Sequence, residues 1–254
     1  MQTRSLSILC LALVASSAFA QAKAPEPDYT LAFNVGVVSD YRFRGLSQTS
    51  FDPALQGGAD FAHKSGLYVG VWGSNIKWVK DYLRATKGST EIDIYGGFKG
   101  SITDALAFDI GAIRYQYPGN TGANVVGFRN ANTSEVYGAL TYSVVTAKYS
   151  RAVSNFLGNA NSSGSGYLEL AANFDLGSGF TLTPHIGRQT IPNVAGGVGN
   201  YNDYSLALAK DFGNGLVATA AAIGSDAKKV FYTNPPDGKN LGKSTLVLGL
   251  KYNF

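Results

Sequence analysis

From residue 29 to residue 254 the chain repeats one unit, a stretch of about ten residues alternating apolar with polar or small side chains and ending in turn residues. A period of two puts successive side chains on opposite faces of a strand. The last stretch sets Leu246, Leu248, Leu250, Tyr252 and Phe254 on one face, against Thr245, Gly249, Lys251 and Asn253. The fourth sets Ile92, Ile94 and Phe98 against Glu91, Asp93 and Lys99, and the ninth sets Phe180, Leu182, Pro184 and Ile186 against Thr181, Thr183, His185 and Gly187. The pattern predicts twelve strands, over 29–40, 54–63, 66–75, 89–99, 105–115, 134–143, 146–154, 166–175, 179–188, 201–212, 215–224 and 244–254.

The connections alternate in length. Short ones fall at 63–66, 100–104, 143–145, 175–179 and 211–215; long ones fall at 41–53, 76–88, 116–133, 155–165, 189–200 and 225–243. Tight turns at one end and long loops at the other are the plan of a transmembrane antiparallel β-barrel, with periplasmic turns and extracellular loops. A soluble sandwich produces the same alternation, with its apolar face buried. A closed barrel differs in turning that face outward while leaving no strand edge in lipid. Tyr29, Tyr115, Tyr142, Tyr167, Tyr204 and Tyr252 are then expected in aromatic girdles.

The N-terminus reads as a signal peptide over residues 1–20. Arg4 precedes an apolar core from Leu6 to Val14, too short to span a bilayer, and Ala18-Phe19-Ala20 fits a small-x-small cleavage site. A short lead at 21–28 follows, and the barrel occupies 29–254. Cleavage removes the only Cys and the only Met, which suits an oxidising compartment and leaves nothing for disulfides. The mild positive charge is too scattered to point to nucleic acid.

If the apolar face meets lipid, alternate residues line the interior. That assigns Asp40, Arg42, Arg44, Asp60, Glu91, Asp93, Asp109, Lys148, Glu169, His185 and Lys251 to a pore wall, where charge can set selectivity. The competing reading is a rigid scaffold in which these charges pair with one another. Gly36, Gly58, Gly70, Gly97, Gly111 and Ala107 are expected to keep the lumen open. The connection 116–133 is a candidate constriction, although an outward surface loop is the simpler reading. In 76–88, Trp78, Val79, Tyr82 and Leu83 fall at helical spacing between basic residues; the alternatives are an element touching lipid phosphates and a solvated loop.

Enzymatic signals are weak. His63-Lys64-Ser65 has a His-x-Ser spacing, but it falls in a short turn of ordinary turn chemistry. Two His and no remaining Cys make a metal site of common type unexpected, and Gly196-Gly197-Val198-Gly199 precedes no helix that could bind phosphate. No catalytic residue, cofactor or metal is expected.

Several blocks resemble the TorF-type porins of proteobacteria. They are Ser39-Asp40-Tyr41-Arg42-Phe43-Arg44-Gly45 with Ser47-Gln48-Thr49, Pro53-Ala54-Leu55-Gln56-Gly57-Gly58 with Asp60, Ser65-Gly66-Leu67-Tyr68-Val69-Gly70 with Ser74-Asn75, Glu91-Ile92-Asp93-Ile94-Tyr95-Gly96-Gly97, and Tyr115-Gln116-Tyr117-Pro118-Gly119. They cover roughly residues 35–120; beyond Pro118 the likeness is one of architecture. The resemblance implies an outer-membrane porin passing small hydrophilic solutes, with the substrate unspecified. The terminal strand resembles the aromatic-ended sorting signal of outer-membrane proteins, with Phe254 as its last residue. The implied partners are outer-membrane lipid and lipopolysaccharide, the barrel-assembly machinery and small solutes, with homo-oligomerisation left open. The alternatives are a structural or adhesive barrel with a closed lumen and, more remotely, an outer-membrane hydrolase.

Overall fold

The computed structural model describes residues 27–85, 87–120 and 129–254. The expected signal peptide, and the centre of the 116–133 connection, lie outside the described residues.

One sheet contains thirteen segments, two of which are halves of a single strand interrupted at Asn173, which leaves twelve strands. They are β1 (Tyr29–Val38), β2 (Ala54–His63), β3 (Leu67–Asn75), β4 (Thr90–Ser101), β5 (Leu106–Gln116) and β6 (Thr133–Tyr142). The second half comprises β7 (Val145–Ala152), β8 (Gly166–Ala172 with Phe174–Gly177), β9 (Phe180–Thr190), β10 (Tyr201–Asp211), β11 (Leu216–Ser225) and β12 (Thr245–Asn253). Each pairs antiparallel with the next, and β1 closes on β12 from Asn34↔Asn253 to Val38↔Gly249. The fold is therefore an all-β closed barrel, with boundaries within a few residues of those the alternation predicts.

Closure settles which face is which. Leu31, Leu55, Ile110 and Leu248 are 53%, 62%, 54% and 54% exposed on the outside, within a continuous apolar skin around the strands. A surface this apolar is stable in lipid and not in water. Among the described residues no helix is long and apolar enough to cross a membrane. Phe254 lies on the outer face, its N–H donating to Phe33 O and its ring 5.0 Å from that of Tyr252.

Two expectations about the faces need correction. Tyr29, Tyr142, Tyr204 and Tyr252 do point outward near strand ends, but Tyr115 and Tyr167 are buried in the interior. The parity of their strands, set by outward Ile110 and Leu168, places them there. Nor do the glycines hold the lumen open. A β-carbon on Gly70 would fall 2.4 Å from Tyr95 Cζ; on Gly97, 2.6 Å from Tyr68 Oη; and on Gly111, 2.5 Å from Tyr137 Oη. Each glycine is the seat on which a tyrosine from the adjoining strand lies flat against the wall.

Replacing Leu248 near mid-strand by Arg puts a charge on the lipid face and should cost about 2–4 kcal/mol. Urea titration of the barrel in phospholipid vesicles, followed by tryptophan fluorescence, measures it; an unchanged midpoint would show that this face does not meet lipid.

Candidate functional site

The wall ends at Val38, earlier than the alternation predicts, because the chain turns into the barrel after Ser39, burying Asp40. Ser39 N donates to Leu248 O and Ser39 Oγ accepts from Leu248 N, fixing the departure point. The connection 39–53, expected outside, folds inward as a hairpin with register Arg42↔Ser47 and Phe43↔Leu46. Its tip residues Arg44 and Gly45 have φ of 48° and 79°. Two positive φ values at the tip of a two-residue loop make a primed turn, whose twist matches paired strands. Gly45 is required there for a second reason: a β-carbon would sit 2.6 Å from Asp203 Cβ on the opposite wall.

The hairpin is built around buried charges. Asp40 accepts from Arg42 Nε at 2.5 Å and Ser47 Oγ at 2.6 Å, while Arg42 Nη1 donates to Gly45 O at 2.9 Å. Arg44 crosses the lumen to β6 and β9. Its Nη1 and Nη2 reach Glu135 Oε1 and Oε2 at 3.1 and 2.7 Å, and Nη1 also donates to Gln189 at 2.8 Å. The guanidinium lies over Tyr167, Phe43 and Phe156 at 4.3, 4.7 and 5.5 Å. Burial disfavours the Arg44 charge, but the Glu135 carboxylate more than offsets this and holds it above the ordinary arginine value. Tyr41, on the same loop, donates to Glu91 Oε1 at 3.1 Å; burial first and Glu91 second keep its hydroxyl protonated.

Other loops pack over this insert. The segment 76–88 contains a one-turn helix, Trp78–Asp81, whose Trp78 and Val79 join Ile76, Leu83, Tyr115 and Tyr117 in a buried cluster. Its apolar side packs at the barrel mouth, so it is not a plain solvated loop, while Lys77, Lys80, Arg84 and Lys87 stay exposed. Tyr82 Oη donates to Phe231 O at 2.6 Å, and Asn234 Nδ2 to Ser50 Oγ at 3.1 Å, tying two loops and the insert together. A small cavity of about 60 Å³ remains among Leu46, Trp78, Phe156, Tyr201 and Tyr232. The described ends of the 116–133 connection pack at the mouth, where Tyr117 N donates to Asn132 Oδ1 at 2.8 Å.

Below the insert, the interior wall carries a belt of polar contacts. Tyr95 donates to Asp60 at 2.5 Å and Tyr68 to Asp109 at 2.6 Å, with Tyr68 also meeting Tyr137. Lys148 lies 4.5 Å over Tyr137 and 3.9 Å from Glu169, and His185 bridges Glu169 at 3.2 Å and Asp203 at 3.6 Å. Tyr167 Oη donates to Asp203 Oδ2 at 3.0 Å.

All eleven proposed interior residues thus occupy the inner side of the barrel, but by different routes. Asp60, Glu91, Asp93, Asp109, Lys148, Glu169, His185 and Lys251 belong to strands, whereas Asp40, Arg42 and Arg44 arrive on the inserted hairpin. Glu135, Gln189 and Asp203 were not expected, although the parity of their strands, with Val136, Ile186 and Tyr204 outward, marks them as inward. Tyr68 and Tyr95 carry the same parity signal, with Val69 and Ile94 outward, whereas Tyr41, on the inserted loop, carries none. In the turn after β2, His63 Nδ1 lies 2.8 Å from Ser65 Oγ, and Asp28 pairs with Lys64 at 2.7 Å instead of orienting the imidazole. Among the described residues no cluster of three or more metal-ligating side chains occurs.

Comparison with known proteins places this arrangement. The model of the family described as "Bacterial protein of unknown function (Gcw_chp)" matches residues 21–254. The chain belongs to this family. No curated protein matches the sequence. Among solved structures, this Gcw_chp chain is similar to the KdgM porin in complex with disordered oligogalacturonate, with a TM-score of 0.56, 6% identity, and coverage of 88% of this chain and 98% of that one. It is similar to the KdgM porin alone, at TM-score 0.53, 6% identity and coverage of 88% and 99%. The NanC porin follows at TM-score 0.52, 8% identity and coverage of 89% and 99%. At such identities the likeness is one of fold: a porin-like barrel.

Arg44→Ala leaves Glu135 buried without its cation, a loss of about 3–5 kcal/mol. The expected result is lost hydrogen-exchange protection over residues 41–50 while the strand amides stay protected. Protection retained in the hairpin would mean that Arg44 is not its anchor.

Proposed function

We propose that the protein is an outer-membrane channel for passive diffusion of small hydrophilic solutes, narrowed by the hairpin at 39–53. The observation that carries this reading is a closed barrel with an apolar skin and a polar, charge-bearing inner wall, into which one loop folds, held by the Arg44–Glu135 ion pair and by backbone bonds to neighbouring loops. A barrel serving only as a membrane scaffold has no need of an ionised interior, since buried charge is costly unless paired. The fold likeness to porins and the resemblance to TorF-type porins point the same way.

On this reading the tight turns lie in the periplasm and the capped long-loop end faces outside the cell, with lipid and lipopolysaccharide against the outer skin. The C-terminal strand is the segment presented to the barrel-assembly machinery, after export on the N-terminal signal peptide. No catalytic step is assigned: among the described residues the His63 ring meets Ser65, and the nearby Asp28 pairs with Lys64.

A second reading is a closed structural or adhesive barrel. It is favoured by the buried apolar clusters at the mouth, which pack like a core. Planar-bilayer recording of the refolded protein separates the two. The channel reading expects small conductance steps in the native protein and steps several-fold larger in Arg44→Ala and in a variant with 41–52 replaced by a short Gly-Ser turn. Silence from all three, with gel mobility showing that the barrels are folded, would leave only the structural reading.

A further inference from the structure

Resting on the channel reading, we infer that the lumen selects small organic cations and disfavours acidic solutes. The interior carboxylates are held by phenol hydroxyls. Tyr95 donates to Asp60, Tyr68 to Asp109, Tyr41 to Glu91, Tyr115 to Glu135 and Tyr167 to Asp203. A phenol hydroxyl is a neutral donor: it fixes a carboxylate in place without cancelling its charge, as Arg or Lys would.

Counting compensation locates the surplus. Glu135 is neutralised by Arg44, Asp40 by Arg42, and Glu169 and Asp203 share Lys148 and His185. Among the described residues Asp60, Asp109, Glu91 and Asp93 have no cation within 4.0 Å. Lys99 is opposite Asp109 in register, yet its ammonium lies over the Tyr68 ring at 5.4 Å. Glu91 and Asp93 are 1% and 7% exposed, and Glu91 Oε2 and Asp93 Oδ1 accept no hydrogen bond. Two buried carboxylate oxygens without donors, beside the rings of Tyr41 and Trp72 that meet edge to face at 5.3 Å, are the surroundings that suit an alkylammonium group. Among the described residues the inward cations of the strands outside an ion pair are Lys99, opposite Asp109 in register, and Lys251, opposite Gly36. These two offset Asp60 and Asp109, so the unmatched acids are Glu91 and Asp93 at the long-loop end of β4, and interior charge of one sign raises the local concentration of the opposite one.

The other wall supplies the organic part of the preference. Opposite the carboxylate belt, β11, β12 and β1 present Val217, Ala221, Ile223, Val247 and Val38 inward, by the parity that turns Ala222, Leu248 and Val37 outward. One side of the lumen is acidic and rich in tyrosine hydroxyls, and the other is mostly small and apolar, with Thr219 and Lys251 among its inward residues. A solute with a positive head and a short hydrocarbon body matches both sides at once. An oligogalacturonate, the acidic sugar named with one KdgM structure, matches neither.

The test is the reversal potential across a planar bilayer under a potassium chloride gradient, with native protein and with Arg44→Ala, followed by liposome swelling with butylammonium chloride and with sodium butyrate. The expected result is a potassium-to-chloride permeability ratio above roughly 3 and faster swelling with butylammonium. The double variant Asp60→Asn with Asp109→Asn keeps both acceptors for Tyr95 and Tyr68, so the wall geometry is retained, and should lower that ratio at least roughly two-fold. A conducting protein that prefers chloride, swells as fast in butyrate, or ignores the double variant overturns the inference while leaving the channel standing. A folded protein that never conducts overturns both.

Discussion

Hydrocarbon offers backbone amides no water, and the whole architecture follows from that. Every N–H and C=O of a spanning strand must find a partner in a neighbouring strand, which only closure provides. Here closure is the pairing of β1 with β12, and its consequence is a fixed inside and outside for each residue of the wall. Once parity is fixed, Leu248 must meet lipid and Gly249 must meet the lumen. A slip of one residue would exchange them along a whole strand.

The interior then faces the opposite problem. Twelve strands enclose more space than small side chains fill, and that space is occupied by elements that bring their own polar partners. Tyrosines lie on glycines along the wall, and a hairpin enters from the long-loop end. The hairpin needs a buried arginine because its tip meets a buried glutamate, and each makes the other tolerable. Its energetics are those of a latch: well satisfied when in place, and costly when one member is missing. The caps over the mouth are tied to it through Ser50, so insert and lid are a connected unit.

Much of this was legible in the sequence. The period-two pattern gave twelve strands with small boundary errors, because apolar alternation is enforced by lipid at every turn of the barrel. Inward placement of Asp60, Glu91 and Glu169 followed from the same parity. The destination of 39–53 was not legible, since loop length says nothing about direction, and Asp40, Arg42 and Arg44 look alike whether they line a wall or plug it. Tyr115 and Tyr167 misled for a related reason: a tyrosine near a strand end fits a membrane girdle, and only parity, set by Ile110 and Leu168, turns it inward.

By itself, then, the sequence determined the fold class, the strand count and the two faces of every strand, because each of these depends on local spacing. Tertiary structure alone decided that the arginine of the loop meets Glu135, 91 residues away. It also decided that tyrosines, and not cations, hold Asp60 and Asp109, and that the glycines are seats for rings and not open space. Those are choices of partner across a closed cylinder, and partners across a cylinder leave no trace in the spacing of residues along one strand.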